Sequence, residues 1–237
     1  MAASPRMIAL TFALPAESRD IVRSIRGKRI DQCGDAKIIY GKLDGNEVAI
    51  SHTGVGRAAC QQQIDHFLDA VRPEFLVSSG FAGGTGDDLK AGDLIVAENF
   101  SDARLLAEAV KGAANLRRVK LHTAASIIDT AEERRRIAQE SGAEAIDMET
   151  DVIARACAAR GVRMLSLRVI SDTPGQSFPI PPRILFNMER QSTEMRQLLI
   201  YLVKHPSAIW RLVRFARRIA EARNQMTAAI IAVVKTM

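Results

Sequence analysis

Residues 75–84 read Phe-Leu-Val-Ser-Ser-Gly-Phe-Ala-Gly-Gly, an apolar stretch that runs into a cluster of glycines. The apolar part, residues 75–79, predicts a short buried strand, because apolar runs of this length that end in glycine are typical of strands inside a sheet. The glycines that follow indicate either close approach of the backbone to a ligand or a sharp loop with positive φ angles. This stretch alone leaves both interpretations open.

Short apolar strands, loops and helices alternate on both sides of this stretch, which predicts an α/β fold. We expect residues 1–182 to form a single-domain three-layer sandwich, in which a mixed central sheet is flanked by helices. The predicted strands cover residues 7–12, 37–41, 47–52, 75–79, 93–97, 117–122 and 164–170. The predicted helices cover residues 15–25, 57–71, 103–113, 131–141 and 149–160.

The composition suits one large domain. Of the 237 residues 47% are hydrophobic and 25% charged, so the core needs neither disulfide nor metal to hold it. Cys33, Cys60 and Cys157 show no metal-ligand spacing, and neither do the histidines. We therefore expect no metal, no cofactor and a reducing compartment. The apolar run near the N-terminus is too short for a signal sequence or a membrane span, which predicts a cytoplasmic protein.

The net charge of +6 is concentrated near the C-terminus. Residues 183–237 hold ten Lys and Arg against three Glu, a net charge of +7, so the remaining residues carry −1. A nearly neutral body argues against a nucleic-acid partner. We expect residues 183–237 to form a basic helical extension. Around Trp210 this helix is amphipathic, and it either lies on an anionic membrane surface or packs on the domain with a solvated basic face.

A second glycine motif, Gly54-Val55-Gly56, separates a predicted strand from a predicted helix. Glycines there let backbone amides face an anion or a sugar oxygen at the helix N-terminus, although a plain tight turn fits as well. The spacing to Ala59 also matches the pattern of dinucleotide-binding folds. Those folds need an acidic residue at the end of the next strand, and here that strand ends in two serines, which argues against a dinucleotide.

Three acidic residues stand where chemistry is expected. Asp147 and Glu149 precede a helix, whose dipole favours negative charge, so Asp147 is either a capping group or part of a site. Glu149 is followed by an apolar helix face and is expected to point into a cleft. Asp172 ends a buried strand, at the edge where α/β sheets bind ligands, although an Asp before Thr173-Pro174 also fits a turn.

Together these motifs resemble the nucleoside phosphorylase and nucleosidase superfamily, whose nucleosidase branch splits methylthioadenosine and adenosylhomocysteine. The resemblance covers roughly residues 7–175. The matching motifs, in the family's order, are Ala16-Glu17, Thr53-Gly54-Val55-Gly56, Gly80-Phe81-Ala82-Gly83-Gly84 with Leu89-Lys90-Ala91-Gly92-Asp93, Asp147-Met148-Glu149, and Arg168-Val169-Ile170-Ser171-Asp172. The resemblance implies an enzyme that cleaves the bond between a purine and a ribose.

The resemblance also implies a role for the acidic residues. Glu149 would stabilise the positive charge that develops on the ribose, with Met148 packed against the sugar. Asp172, oriented by Ser171, would donate a proton to N7 of the leaving purine. Glu17 would activate water. The implied substrate-binding residues are Gly54, Gly56, Gly80, Phe81, Ala82, Gly83, Ile127, Met148 and Ser171.

The sequence departs from the family pattern at two of these positions. Phe81 stands where the nucleosidases usually have a small hydroxyl residue, which removes a hydrogen bond to the ribose or the nucleophile. Ile127 falls near the place of an aromatic residue that stacks on the purine. Base binding would then rest on apolar contact, and the identity of the base stays open.

The nucleophile stays open too. Nucleosidases of this kind place a glutamate after the first strand, as Glu17 is placed, whereas the phosphorylases carry arginine in that loop. Hydrolysis is favoured, although Arg19 and Arg57 could bind phosphate. A third class, a non-catalytic nucleoside-binding or membrane-associated module, would function without Asp172. We expect a homo-oligomer, of a size the sequence does not fix, that binds a small nucleoside substrate.

The segment 98–118 is shorter than its counterpart in the family, which helps to build the dimer and covers the 5′ end of the substrate. Its shortness predicts a pocket that is open at the 5′ side and accepts a bulky substituent. Together with the basic extension, this resembles the hopanoid-associated branch, which removes adenine from adenosylhopane, a nucleoside with a triterpenoid at its 5′ end. That branch would place the protein at a membrane surface.

Overall fold

The computed structural model describes residues 7–34, 36–113, 115–176 and 207–236, and it confirms the predicted α/β fold. The strands are β1 (Met7–Phe12), β2 (Arg26–Cys33), β3 (Ala36–Leu43), β4 (Asn46–His52), β5 (Phe75–Gly84), β6 (Leu94–Ala97), β7 (Arg117–Val119), β8 (Leu121–Thr123), β9 (Ala145–Asp147) and β10 (Arg163–Asp172). The helices are α1 (Pro15–Ser24), α2 (Arg57–Val71), α3 (Ala103–Gly112), α4 (Ala131–Ser141), α5 (Thr150–Ala159) and α6 (Ser207–Thr236), with a 3₁₀ turn at Glu98–Phe100.

The strands form one mixed sheet in the order β2-β3-β4-β1-β5-β10-β6-β7, with β9 paired to the end of β5 and β8 paired to β9. The centre is parallel: β1 pairs with β4 and β5, and β10 pairs with β5. Towards the edges β2, β3 and β6 pair antiparallel. Parallel strands are buried on both faces, which is why β1, β5 and β10 are rich in apolar residues. Their carboxyl ends meet at one edge of the sheet.

Helices cover both faces of this sheet. On one face α1, α3 and α6 pack on the central strands through a core that includes Ile21, Leu105 and Ile230. On the other face α2 and α5 pack through residues such as Ile64 and Val152. The predicted arrangement of a central sheet between two helical layers is confirmed.

The long helix α6 has two distinct halves. Ala222, Met226 and Val233 in its second half are buried in the core of the domain, and Arg223 forms an ion pair with Asp20 of α1. In its first half Trp210 is 77% exposed. Among the helices of the described ranges, none has the length and apolar character needed to cross a bilayer. The predicted boundary at residue 182 and the start of the extension, residues 183–206, lie outside the described residues.

Several elements differ from the sequence prediction, among them β9, which was not predicted as a strand. The pattern does not predict β2, because its side chains are all exposed; backbone pairing to β3 and the stacking of Arg29 on Tyr40 hold it in the sheet. β5 does not stop at residue 79 but continues through the glycines, because residues 80–83 stay paired with β10 and Gly83 and Gly84 also pair with β9. The single strand predicted at 117–122 is two strands, since β7 pairs with β6 whereas β8 pairs with β9.

Candidate functional site

A cavity of about 280 Å³ opens at the carboxyl ends of β1, β5 and β10. This is the edge at which open α/β sheets bind their ligands. The lining residues are Ala13, Leu14, Glu17, Val55, Phe81, Ala82, Gly83, Ser126, Ile127, Ile128, Arg134, Ile146, Asp147, Met148, Glu149, Ser171 and Asp172. The structure therefore brings Glu17, Glu149 and Asp172, which are far apart in sequence, to one cavity.

Glu17 lies in the first turn of α1, which begins at Pro15, a residue whose fixed φ suits that position. Its Oε2 accepts a hydrogen bond from the backbone N–H of Leu14, with N and O 2.9 Å apart. Gly80 leaves room for this carboxyl group, because a Cβ at residue 80 would lie 3.3 Å from Glu17 Oε1. Burial raises the pKa of Glu17, and the hydrogen bond from Leu14 and the charge of Arg168 partly offset that effect.

Glu149 directly precedes α5, which begins at Thr150 and not, as predicted, at residue 149. Its Oε1 accepts a hydrogen bond from the backbone N–H of Gly56 at 2.6 Å. Gly56 has a φ of 89°, in the left-handed region that favours glycine. Burial first, and then the charge of Asp147, raise the pKa of Glu149 to about 7. The amide of Gly56, which the sequence analysis assigned to the substrate, holds this carboxyl group in place.

Arg168 is a buried cation beneath the cavity. Each of its five N–H groups donates a hydrogen bond to a described residue. Nε donates to Asp147 Oδ2 at 3.2 Å, and Nη1 donates to the carbonyls of Ser78 and Leu167 at 2.6 and 2.9 Å. Nη2 donates to Ser78 Oγ at 2.8 Å and to Thr150 Oγ1 at 2.7 Å. Arg168 was not predicted as a site residue, although a charged residue inside a mainly apolar strand is a usable signal.

Asp147 accepts hydrogen bonds from the side chain of Thr123 at 3.0 Å and from the backbone N–H of Thr150 at 3.3 Å. The second bond caps the start of α5, and the ion pair with Arg168 balances the buried charge. The contacts of Asp147 are therefore those of a capping group. The residue also lines the cavity.

Asp172 is 2% exposed and is held by two partners. Ser171 Oγ donates to its Oδ1, as the resemblance implied. Arg134 of α4 forms a buried ion pair with its Oδ2. Sequence reasoning missed Arg134, because it stands in a run of arginines on a polar helix that resembles a solvated face.

A second, small cavity of about 20 Å³ lies behind Glu17 and Phe81. Among the described residues, the hydroxyls of Thr11 and Ser79 are buried there without a hydrogen-bond partner. A polar space of this size accommodates about one water molecule. Gly80 lines this small cavity and not the larger one.

A third cavity, of about 340 Å³, shares Ala13 and Leu14 with the first. Gly54 lines it, together with His52, whose Nε2 lies 2.7 Å from Ser18 Oγ. Burial lowers the pKa of His52 to about 4, so the imidazole is neutral near pH 7. Through the shared Ala13 and Leu14, the two cavities lie next to each other at the loop after β1.

The predicted site residues thus fall into two groups. Those that line the main cavity are Glu17, Phe81, Ala82, Gly83, Ile127, Met148, Glu149, Ser171 and Asp172. Gly54, Gly56 and Gly80 do not line it: the N–H groups of Gly54 and Gly56 donate to Ala13 and Glu149, and Gly80 leaves room for Glu17. Of the two arginines considered for phosphate, Arg19 is exposed outside the cavity, and Arg57 pairs with Asp151 at 3.4 Å. In the described part of the chain, no group of three or more His, Cys, Asp or Glu is arranged to bind a metal ion.

The chain is similar in sequence to a family of known proteins. The phosphorylase superfamily model matches residues 7–106 and 97–204. The 5′-methylthioadenosine/S-adenosylhomocysteine nucleosidase of Shewanella halifaxensis is 22% identical over 204 residues, which are 73% of this chain and 89% of that protein.

Among solved structures, the 5′-methylthioadenosine/S-adenosylhomocysteine nucleosidase of Neisseria meningitidis, in complex with methylthio-immucillin-A, aligns with a TM-score of 0.75 at 15% identity. The alignment covers 98% of this chain and all of that one. A futalosine hydrolase mutant of Helicobacter pylori aligns with a TM-score of 0.65 at 20% identity, over 70% of this chain and 88% of that one. Since the family model spans most of the sequence, the chain belongs to the phosphorylase superfamily.

Proposed function

We propose that the chain is a purine nucleosidase, which hydrolyses the bond between C1′ of a ribose and N9 of a purine. The observation that carries the proposal is the convergence of Glu17, Glu149 and Asp172 on one cavity. Hydrolysis of an N-glycosidic bond needs a base for water, a negative charge near the developing ribosyl cation, and an acid for the leaving base. The cavity offers one carboxyl group for each of these tasks.

In this mechanism the C1′–N9 bond breaks and its electron pair leaves with the purine. Asp172 donates a proton to N7, which neutralises the departing base. Glu149 binds the ribose hydroxyls and stabilises the positive charge on the sugar. Water adds to C1′ and its proton passes to Glu17. The products are a free sugar and a purine, and proton exchange with solvent restores Glu17 and Asp172.

The surroundings of Glu17 support water as the nucleophile. The small cavity behind it is lined by the hydroxyls of Thr11 and Ser79, which suit a water molecule and leave no space for phosphate. In place of the small hydroxyl expected at residue 81, Phe81 contributes an apolar wall between the two cavities. Ser79 lies two residues before Phe81 in β5, and its hydroxyl can form the hydrogen bond to the ribose or the nucleophile that Phe81 cannot.

The charges around the cavity also favour hydrolysis over phosphorolysis. Phosphate carries close to two negative charges and needs cationic partners. Among the described residues that line the cavity, Arg134 is the single cation, and it is paired with Asp172. Arg168 has no N–H left to donate. The carboxyl groups of Glu17 and Glu149 would repel an anion.

The names of the relatives indicate the substrate class. The names of the Shewanella and Neisseria proteins give methylthioadenosine and adenosylhomocysteine as substrates. Both compounds are adenosine derivatives, and they differ at the 5′ position. The proposal therefore includes adenine as the released base and a variable group at the 5′ carbon.

Removal of phosphate tests the reaction class. We expect release of adenine from methylthioadenosine at the same rate in phosphate-free buffer as with millimolar phosphate, because water is the nucleophile. The measurement is chromatographic quantification of adenine and of the sugar product. A requirement for phosphate, with formation of a ribose 1-phosphate derivative, would show a phosphorylase. The absence of base release from every adenosine derivative would leave a binding module.

We further propose a bulky lipid, of the hopane type, as the 5′ substituent. The third cavity adjoins the first at Ala13 and Leu14, so a substrate longer than a simple nucleoside has room to extend. The first half of α6 exposes Trp210 and Val213 beside several arginines, which suits an anionic membrane surface. Arg218 of the same helix donates to Gln176 at 3.1 Å, and Gln176 follows Asp172 closely in sequence, so the helix passes near the edge of the sheet that carries the site at residue 218.

The lipid proposal predicts that adenosylhopane in anionic vesicles is hydrolysed with a higher kcat/KM than methylthioadenosine. Substituting Arg211, Arg214 and Arg217 by Gln should weaken vesicle binding and slow only the lipid substrate, because these residues lie outside the cavity. Co-sedimentation and adenine release measure the two effects. Faster turnover of methylthioadenosine, or no binding to vesicles, would contradict this part of the proposal and leave the nucleosidase itself untouched.

A further inference from the structure

Arg134 is a buried arginine that the mechanism above does not use. It is 5% exposed, lines the main cavity, and pairs with Asp172, which is 2% exposed. A cation fully removed from water is rare unless the structure holds it with several partners. Its surroundings therefore indicate what it does.

Arg134 also donates hydrogen bonds to backbone carbonyls on two sides of the cavity near Asp172. Nε and Nη2 donate to the carbonyl of Ile128 at 3.1 and 3.0 Å, and Nη1 donates to the carbonyl of Gly84 at 3.0 Å. Ile128 belongs to the loop between β8 and α4, which forms one wall of the cavity. The guanidinium thus links this wall, the end of β5 and the carboxyl group of Asp172.

Gly83 in β5 leaves the space that the Arg134 guanidinium occupies. A Cβ at residue 83 would lie only 3.0 Å from Arg134 Nη1. A side chain at Gly83 would push the guanidinium away from Asp172. One of the glycines that the sequence analysis assigned to the substrate therefore gives space to a protein side chain.

We propose that Arg134 is a positioning residue for proton donation to the purine, and that it acts through Asp172. This inference rests on the proposed nucleosidase function. Ser171 and Arg134 bind different oxygens of Asp172, so together they fix the plane of the carboxyl group toward the cavity. When the proton of Asp172 passes to N7, a carboxylate remains in a buried site. Arg134 is already in place to balance that negative charge, so no group has to rearrange during the reaction.

The planar fork of the guanidinium matters for this role. Arginine donates at once to Asp172, Ile128 and Gly84, whereas lysine has one nitrogen on a flexible chain and reaches a single position. Arg134→Lys should therefore retain the charge but lose part of the orientation. Arg135 follows on the same helix and is exposed, which makes Arg135→Gln the matched control.

The test compares two leaving groups. Adenine needs a proton to leave, whereas p-nitrophenolate leaves p-nitrophenyl β-D-ribofuranoside without one. Arg134→Gln is expected to lower kcat for adenine release by about 10–100-fold. This is less than the contribution of a general acid, because the variant keeps Asp172 and loses only its positioning. Its effect on p-nitrophenolate release should be several-fold smaller. Arg134→Lys should recover part of the loss, and Arg135→Gln should behave as wild type.

A double variant separates action through Asp172 from a general structural effect. In an Asp172→Asn background, Arg134→Gln should lower the residual rate of adenine release no further. Equal losses with both leaving groups, or additive losses in the double variant, would overturn the role of Arg134. So would a wild-type rate in Arg134→Gln. If the wild type releases no base from any nucleoside, the proposed function itself fails. Should Arg134→Gln not fold, the same comparisons in Arg134→Lys decide the question.

Discussion

Asp172→Asn is expected to lower kcat for adenine release by about 10²–10⁴-fold, the range that a general acid contributes. The amide keeps one acceptor oxygen, which can serve Arg134 or Ser171 but not both, because these residues donate to different oxygens of the carboxyl group. It has no proton to give to N7, so the purine would have to leave as an anion. The effect should fall on kcat more than on KM, because the shape of the cavity is unchanged. Chromatographic assay of adenine at substrate saturation measures it.

The matched control for this change is Asp69→Asn. Asp69 is also an aspartate paired with an arginine, Arg160, but it lies on α2 outside the cavity. This variant should keep the wild-type rate. A thermal unfolding curve for each variant shows whether the fold is intact. If folded Asp172→Asn released adenine as fast as wild type, Asp172 would not be the acid, and a non-catalytic module would become the better interpretation.

Glu149→Gln is expected to stabilise the fold at pH 8 by about 3 kcal/mol while it removes activity. Burial raises the pKa of Glu149 from 4.5 to about 7, so the folded protein binds this proton more tightly than the unfolded chain does. That stabilisation is complete below pH 4.5 and is lost as the pH rises through 7. At pH 8 the wild type keeps a buried carboxylate, whereas glutamine is neutral and still accepts the hydrogen bond from Gly56.

Urea unfolding at pH 8 and at pH 5 measures this difference. The advantage of Glu149→Gln should shrink strongly at pH 5, where Glu149 of the wild type is protonated in the folded state. Glu140→Gln, an exposed residue near the end of α4, is the control and should change stability little at either pH. An equal gain at both pH values would mean that packing, and not the buried charge, accounts for the effect. Loss of stability at pH 8 would contradict the raised pKa.

The pairing of lost activity with gained stability would itself be informative. Active sites keep charged groups in unfavourable surroundings because the reaction needs them there. Glu149 would have to be ionised to stabilise a ribosyl cation, although burial opposes its ionisation. A carboxyl group retained only for structure would show no such conflict.

Parts of the fold follow directly from local patterns. The apolar runs of β1, β5 and β10 predict buried parallel strands, because a strand covered on both faces has no polar side. α4 runs from Ala131 to Ser141 as predicted, since Thr130 caps its start and Gly142 ends it. β2 could not be found in this way, because its exposed side chains carry no hydrophobic period and its order comes from pairing with β3.

The carboxyl groups of the site were also accessible from the sequence, because each stands at the end of a strand or the start of a helix. What they contact was not. Gly56 and Glu149 are 93 residues apart, and Arg134 and Asp172 are 38 apart. No local pattern encodes such pairs. A glycine next to a helix can serve a ligand or a side chain of the protein itself, and only the folded arrangement distinguishes the two.

The sequence by itself determined the layers of the fold and the residue types at the edge of the sheet. These depend on hydrophobic periodicity and on turn residues, which act over a few positions along the chain. The tertiary structure alone decided that Arg168 has no N–H free for an anion, that Arg134 faces Asp172, and that Gly83 gives Arg134 its space. These features depend on burial and on contacts between distant segments, and burial is a property of the folded chain that no short stretch of sequence contains.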